Sequence, residues 1–448
     1  MKQISGPYEA KKIETHIYKY WEENGFFKPK KTNEKNPFVV AIPPPNVTGS
    51  LHMGHALNNS IQDVLVRWHR MRGIPTLWIP GTDHAGIATQ NVVEKKLRKE
   101  GKTRFQIGRE KFEKEVWKWK DQYENHILGQ LKTMGCSCDF SKTRFTMDEK
   151  YSEAVKEAFV HYYNKGYLYR DFRIINWCPR CKTSLSDLEV EHEERSDYLW
   201  YIKYRTKDSE KTITVATTRP ETMLGDVAVA VNPKDKRYKS IIGKKLIVPI
   251  INREVPIVAD ELVDPKFGTG AVKVTPAHDQ TDFEIAEKHN LEKITVIDEA
   301  GKMTKSCGKD YLGLDRYEAR EKIIEKLKKE KWLEREEPYS HNVGHCYRCQ
   351  TVIEPLLSLQ WFVSMKKLAS PAISAVKKGE IKFHPKKWER VYLHWMENIK
   401  DWCVSRQLWW GHQIPAWYCE CGETIVAKNE PKACPKCKSK KIKREEDV

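Results

Sequence analysis

The chain has 448 residues, 40% of them apolar and 15 of them Trp, which is ample for more than one folded domain and argues against a disordered tail. Its net charge of +17 favours a polyanionic partner, which bears on association and not on fold. No apolar run approaches the roughly 18 residues of a membrane span and no secretory leader is read, so a cytoplasmic protein without a membrane partner is expected.

Residues 1–36 read as basic and mostly helical, with Tyr8–Phe27 as one amphipathic packing helix ending at Asn24-Gly25. The apolar run Phe38–Ile42 then suits a buried strand. The stretch Ala41–Leu57, Ala-Ile-Pro-Pro-Pro-Asn-Val-Thr-Gly-Ser-Leu-His-Met-Gly-His-Ala-Leu, is a strand–loop–helix joint. After it Met53, Ala56, Leu57, Ile61, Val64, Leu65, Trp68 and Met71 recur at helical spacing, and Gly73 is placed to end the helix. Pro43–Pro45 stiffen the strand exit, Thr48 or Ser50 is the expected helix cap, and Gly49 permits close backbone approach. His52 and His55, three apart, share one face at the helix N-terminus, where free N–H groups and the dipole attract anions. Two imidazoles there suit a polyphosphate; the plain alternative is a pair of ordinary polar side chains.

A second apolar run, Thr76–Ile79, leads into Pro80-Gly-Thr-Asp-His-Ala-Gly86 and a helix through Glu100. Two strand–loop–helix units are the pattern of an α/β, doubly wound (Rossmann-like) parallel sheet, which binds ligands at the C-terminal ends of its strands. Neither strand is followed by Gly-x-Gly-x-x-Gly or a Walker loop, which excludes the usual dehydrogenase and P-loop classes. Asp83 in the second loop is a candidate anchor for a substrate ammonium, or else a helix N-cap. Residues 101–170 read as helices, with Phe112, Val116, Trp119, Tyr123 and Ile127 on a core face.

The 12 Cys fall largely into close pairs, which in a chain of this size points to metal and not to disulfides. Cys178-Pro-Arg-Cys181 and Cys346-Tyr-Arg-Cys349 are two half-sites. A tetrahedral S₄ site needs both, so residues 182–345 must loop out between them. Cys419-Glu-Cys421 and Cys434-Pro-Lys-Cys437 have compact ribbon spacing, although the first half is Cys-x-Cys. Structural Zn²⁺ is expected at both sites, with unmetallated thiols as the alternative. Between the half-sites the character changes. Thr212–Ala216, Val227–Val231 and Leu246–Ile251 are β-branched runs bounded by turns, which suggests a small barrel-like β domain.

Pro-Pro-Pro-Asn-Val-Thr-Gly-Ser-Leu-His-Met-Gly-His resembles the ATP-binding signature of the class I aminoacyl-tRNA synthetases, and its wording favours the valyl branch over the isoleucyl or leucyl. Pro80–Gln90 resembles the segment lining that branch's amino-acid pocket. Thr217-Thr-Arg-Pro-Glu-Thr-Met-Leu-Gly-Asp226 and Gly268–Asp282 resemble its editing segments, and Asn398–Trp417 resembles the stretch that closes the catalytic core around the zinc ribbon.

The resemblance implies a valine–tRNA ligase activity on valine, ATP with Mg²⁺, and tRNA(Val), carried out by a monomer. Thr48, Gly49, His52, Gly54 and His55 would bind ATP, with His52 and His55 catalytic in stabilising the pentacoordinate phosphorus. Pro44, Pro45, Asn46 and Asp83 would hold valine, Asp83 taking its α-amino group. In the insertion, Asp279 or Asp282 would hold the ammonium of a misattached amino acid. Thr217, Thr218, Arg219, Lys273, Thr275 and His278 would shape that editing site and bind the tRNA end. Valyl-branch pockets are known to reject the near-isosteric threonine only about 100-fold, a family property and no deduction from this sequence, so a second, hydrolytic site is needed.

The implied domains are 1–184 (first part of the catalytic domain, with the N-terminal helix and one half-knuckle), 185–340 (inserted editing domain), 341–418 (second half-knuckle and return) and 419–448 (zinc ribbon). Lys302-Met-Thr-Lys-Ser306 looks like the family's lysine signature loop, but its place inside the insertion rules the match out. The chain ends at Glu446-Asp-Val448, where the family continues into the rest of its nucleotide fold and its anticodon-binding helices. The expectation is therefore a synthetase's N-terminal part, forming little adenylate alone. Rival readings are an isoleucyl-branch fragment, a free-standing aminoacyl-tRNA deacylase and an RNA-binding module.

Overall fold

The computed structural model describes residues 8–30, 36–207 and 211–448; the expected helical stretch at 1–7 and 31–35 lies outside them. The described residues fall into two units. One runs up to Tyr162 and resumes over Leu408–Val448, and the other is Tyr163–Gln407.

In the first unit, helix α1 (Ala10–Glu23) buries Tyr18, whose hydroxyl donates to the Cys136 carbonyl at 2.7 Å. Strand β1 (Phe38–Ala41) leads to α2 (Met53–Met71), and β2 (Thr76–Ile79) lies parallel to β1 in the register Phe38–Thr76 to Ala41–Ile79. The short strand β3 (Gly81–Thr82) pairs in parallel with β4 (Arg144–Phe145). That approach requires a glycine, because a Cβ on residue 81 would lie 2.7 Å from the Arg144 carbonyl oxygen. Between them run α3 (Gly86–Lys99), the single turn α4 (Arg104–Ile107) and α5 (Arg109–Thr133), and α6 (Glu149–Asn164) follows β4.

The α5 face works as the spacing requires. Phe112, Val116 and Ile127 are fully buried with Val93 and Leu97 of α3, and Trp119 stacks on Tyr123 at 4.3 Å. Phe112→Ala should therefore destabilise this unit by about 3–5 kcal/mol, read as an earlier urea or thermal transition. A transition unchanged from the parent would show that α5 is not the core helix.

Two expectations reach less far here. Among the described residues the parallel β1–β2 sheet has two strands, not a full doubly wound sheet, and residues 101–170 include β4 and the start of β5 as well as helices. The apolar face of α2 is also largely uncovered. Only Asn59 and Val66 of the helix are buried, while Met53, Leu57, Ile61, Val64, Leu65, Trp68 and Met71 are exposed. A sheet two strands wide, about 10 Å, covers one side of a helix whose apolar arc is wider than that.

The second unit begins with β5 (Leu168–Cys178), β6 (Thr183–Leu185) and the long β7 (Val190–Thr206). Strands β8 (Thr212–Thr217), β9 (Ala228–Val231), β10 (Lys245–Ile247), β11 (Glu254–Ala259) and β12 (Ala271–Val274) precede helices α7 (Gln280–His289) and α8 (Arg316–Lys329). Then come β13 (Leu333–Cys346), β14 (Glu354–Val363), α9 (Met365–Lys377), α10 (Lys387–Glu397) and β15 (Trp402–Cys403). A seven-stranded sheet has the order β12-β9-β11-β10-β7-β13, with β8 also paired to β7. β8 then comes back beside β12 with no ladder pairing between the two among the described residues, so the sheet curls without closing.

Every residue of β9, Ala-Val-Ala-Val, is buried, as suits a strand covered on both faces. The expected strand Leu246–Ile251 stops at Ile247, because Ile250 and Asn252 take positive φ in a turn that a strand cannot contain. Met303 of the lysine-loop look-alike is a core residue, and Thr304 caps the 3₁₀ turn Lys305–Cys307. A second sheet, β15-β14-β5-β6, completes this unit. Back in the first unit, β16 (Ala416–Cys419), β17 (Thr424–Val426) and β18 (Ile442–Arg444) form the order β17-β16-β18. No helix among the described residues is long and apolar enough to cross a membrane.

Candidate functional site

The gap between β8 and β12 holds a cavity of about 410 Å³. Thr217, Thr218, Arg219, Lys273, Thr275, His278, Asp279 and Asp282 all line it, brought together from two stretches some fifty residues apart. β8 delivers the first three at its end, β12 delivers Lys273 on its inward face, and α7 begins just beyond.

Each side chain has its own restraint. Lys273 Nζ donates to Thr222 Oγ1 and Thr275 Oγ1, both at 2.7 Å, and lies 3.5 Å from Asp226 Oδ1. Asp226 is fully buried and also accepts from Tyr204 Oη at 2.6 Å and Thr275 Oγ1 at 2.5 Å. Burial pushes its carboxyl up, against the pull of Lys273. Asp279 is the N-cap of α7, accepting from the amides of Thr281 at 2.8 Å and Asp282 at 3.0 Å. Asp282, 6% exposed, accepts from the Thr275 amide at 2.7 Å. Burial, and then the neighbouring Asp279, push Asp282 up to about 7.

His278 is restrained differently. Its Nε2 accepts from the amides of Val296 at 2.9 Å and Ile297 at 3.2 Å, so the ring proton sits on Nδ1 and Nε2 has no free lone pair for acid–base work. The Thr217 hydroxyl accepts from the Arg219 amide at 3.0 Å, fixing the turn that presents Arg219. The cavity can thus take a cation on carboxylates, offer hydroxyls to a polar group, and present a guanidinium to an anion.

Sequence reasoning gave no role to Thr222, Asp226 and Glu221, which lie inside its first editing segment, or to Glu354. The last three were readable as acidic residues flanking apolar runs, which a folded chain must pair when it buries them.

The two distant cysteine pairs converge. Cys178, Cys181, Cys346 and Cys349 have all four Sγ atoms within 4.8 Å of one another, with Cys349 at 3.5 Å from Cys178 and 3.6 Å from Cys181. Cys419, Cys421, Cys434 and Cys437 do the same, with edges of 3.4 Å and 3.7 Å. A tetrahedron of thiolates at about 2.3 Å from zinc has edges of about 3.8 Å, so both sets fit one metal ion each.

In the first unit the two motif loops lie side by side at the C-terminal ends of β1 and β2. Asn46 bridges to Asp83, and the Asp83 amide donates to the Pro45 carbonyl at 2.8 Å. Pro45 is buried, while Pro44 and Asn46 are exposed. Asp83 does not cap α3, whose N-cap is Ala85 at φ 45°; its Oδ1 accepts from the Ala85 amide at 3.2 Å and Thr146 Oγ1 at 2.8 Å. Burial acts to raise the Asp83 carboxyl, but the hydrogen bonds of His84 and Thr146 outweigh it and the group stays below its usual range.

The cap of α2 is neither Thr48 nor Ser50 but His52, whose Nδ1 accepts from the Gly54 amide at 3.1 Å. His55 Nδ1 accepts from the His52 amide at 3.2 Å, and the two rings sit 3.9 Å apart. Burial and then His52 lower the His55 pKa. A Cβ on Gly54 would lie 2.9 Å from His52 Cε1, so this glycine makes room for the ring. Gly49 faces open space, and Ser50 instead pairs with His126 at 3.0 Å. Trp410 packs: it is 1% exposed and donates Nε1 to the His84 carbonyl at 2.9 Å.

A family model described as tRNA synthetases class I (I, L, M and V) matches residues 16–448, and the chain belongs to that family. Its mixed α/β fold with a curled sheet is the class I synthetase fold. The valine–tRNA ligase of Carboxydothermus hydrogenoformans is 58% identical over 442 residues, which are 98% of this chain and 50% of that protein. Those of Thermotoga maritima and Geobacter sulfurreducens are 57% and 54% identical, each across 100% of this chain and 52% and 50% of theirs. The chain spans about half the length of the curated relatives it matches.

Proposed function

We propose that this chain carries the amino-acid and ATP site of a valine–tRNA ligase together with a hydrolytic site that clears threonine from tRNA(Val). The observation that supports it most is the single cavity lined by Thr217, Thr218, Arg219, Lys273, Thr275, His278, Asp279 and Asp282. On this reading segment 185–340 is an inserted editing domain within a catalytic domain that begins over 1–184, returns over 341–418 and ends in the ribbon 419–448. The first unit supplies one part of the site at which, in the whole ligase, valine carboxylate attacks the α-phosphate of ATP and releases pyrophosphate, so that this chain alone forms little adenylate. Asp83 holds the valine ammonium against the wall of Pro44, Pro45 and Asn46. Thr48, Gly49, Gly54, His52, His55 and the N-terminus of α2 carry the phosphates and the charge that develops on them. Mg²⁺ on the phosphates would supply further charge neutralisation. Both cysteine sites hold structural zinc, and the chain works as a cytoplasmic monomer.

In the second unit no side-chain nucleophile is required. Of the two candidate carboxylates, Asp282 takes the threonyl ammonium while Asp279 caps α7, the hydroxyl-bearing wall accepts the threonine hydroxyl, and a water attacks the ester carbon. The acyl C–O bond breaks and the terminal ribose hydroxyl leaves. A site built to hydrogen-bond a hydroxyl strongly rejects the methyl analogue, because its polar groups are left unpaired. Incubating the chain with threonyl-tRNA(Val) and valyl-tRNA(Val) should therefore release threonine at least about 100-fold faster than valine. Equal rates, or none for either, would sink the proofreading reading.

A further inference from the structure

Glu354 opens strand β14, outside the stretch read as the insertion, and is 0% exposed. A carboxylate at the head of an apolar strand needs partners, and it has them on both oxygens. Oε2 accepts from Arg316 Nη1 at 2.6 Å. Oε1 accepts from Arg219 Nη2 at 2.5 Å and faces His278 Nδ1 at 3.4 Å. Arg316 also donates to the carbonyls of Val352 at 2.7 Å and Ile353 at 3.3 Å, which pins the strand on which Glu354 stands.

Arg219 is clamped from a second side. Its Nε donates to Glu221 Oε1 at 3.1 Å and its Nη1 to the His278 carbonyl at 3.2 Å. Glu221 is itself held by two hydrogen bonds from Arg320, which reaches on to Asp197 at 3.1 Å. Three guanidinium groups thus meet three carboxylates, and the buried cluster is neutral. Three of the five N–H groups of Arg219 are used in this clamp, which leaves two, and the side chain lines the cavity.

We propose that Glu354 is a positioning residue for this cavity: one carboxylate holds the Arg219 fork by a hydrogen bond and sets the field at His278 Nδ1 3.4 Å away, so that Arg219 presents its remaining N–H groups to the phosphate–ribose end of a charged tRNA. Glu354 touches no substrate and acts through Arg219. The inference rests on the proofreading reading for its substrate, but not for its geometry.

The test is a double-mutant cycle on the 448-residue chain, with threonyl-tRNA(Val) deacylation as one readout and ¹⁵N-histidine NMR of His278 as the other. Glu354→Gln keeps the shape and an acceptor but removes the charge. Arg219→Ala and Glu354→Gln should each lower kcat/KM by about 10-fold or more, and together by no more than about twofold beyond the worse single change. Glu354→Gln should also shift the His278 Nδ1 resonance. The neutral swap Glu354→Gln with Arg316→Gln removes one charge of each sign, so it leaves no unpaired charge in the cluster and serves where the single variant does not fold. Multiplicative losses of about 100-fold, or an unmoved His278 resonance, would overturn the proposal. A parent chain that deacylates nothing would sink the proofreading reading alone, and the NMR readout would still decide the role of Glu354.

Discussion

Asp282→Ala is expected to slow threonyl-tRNA deacylation by roughly 30- to 4,000-fold, the equivalent of about 2–5 kcal/mol for removing one partner of a desolvated charge pair. The carboxylate is buried at 6% exposure inside the cavity, so water replaces it poorly as an ammonium partner. Its neighbour Asp279 is committed to capping α7, which leaves Asp282 as the better placed anchor. Asp282 also accepts the Thr275 amide, so Asp282→Asn, which keeps an acceptor, separates the charge from that hydrogen bond. An Asp282→Ala chain that stays folded and deacylates at the parental rate would end the anchor role.

The same carboxyl predicts a pH dependence. Burial and Asp279 raise Asp282 to about 7, so the anionic form that binds an ammonium accumulates as pH rises through that value. Deacylation of threonyl-tRNA should climb between about pH 6 and pH 8 in the parent and lose that rise in Asp282→Asn. Stability runs the other way. Below about pH 4 the carboxyl is protonated folded and unfolded and costs nothing. Between about 4 and 7 the folded chain keeps a proton that the unfolded chain releases, so stability falls as pH rises through the folded value. Asp282→Asn should therefore gain stability over the parent at pH 8 and not at pH 4, as measured by urea unfolding at both.

The second large effect concerns metal. Purified chain should contain about two zinc ions, and Cys346→Ala should lose one of them together with the cooperative melting of the second unit. Structural zinc contributes on the order of 10–16 kcal/mol of apparent binding energy to small thiolate domains at neutral pH. Here the ion would tie the ends of β5 and β13, strand termini separated by residues 179–345, so that ordering is costly without it. Cys437→Ala should lose the other ion and melt only the local β16–β18 ribbon. A zinc-free chain with an unchanged melting profile would show that the eight thiols are packing groups. Atomic absorption alongside calorimetry decides it.

Much of this protein was determined by local sequence. The joint from β1 to α2, the second motif loop and the α5 core face follow from apolar spacing and from where Pro and Gly interrupt it, which are properties of a few adjacent residues. The cysteine spacing likewise required each half-site to find another. What the sequence left open was decided by groups that meet only when the chain is folded. Thr48 and Ser50 are better cap residues than histidine, yet His52 caps α2, because Gly54 leaves space for its ring and Ser50 is drawn to His126. The apolar residues of α2 have perfect helical spacing, yet periodicity says which face is apolar and not whether anything covers it. The cavity shows the same limit. Its two stretches were readable one by one, but that Asp226 at the end of the first would lie under Lys273 of the second, and that Glu354 at the head of β14 would lie under Arg219, was not, because burial energetics dictate only that a buried charge has a partner, never which part of the chain supplies it.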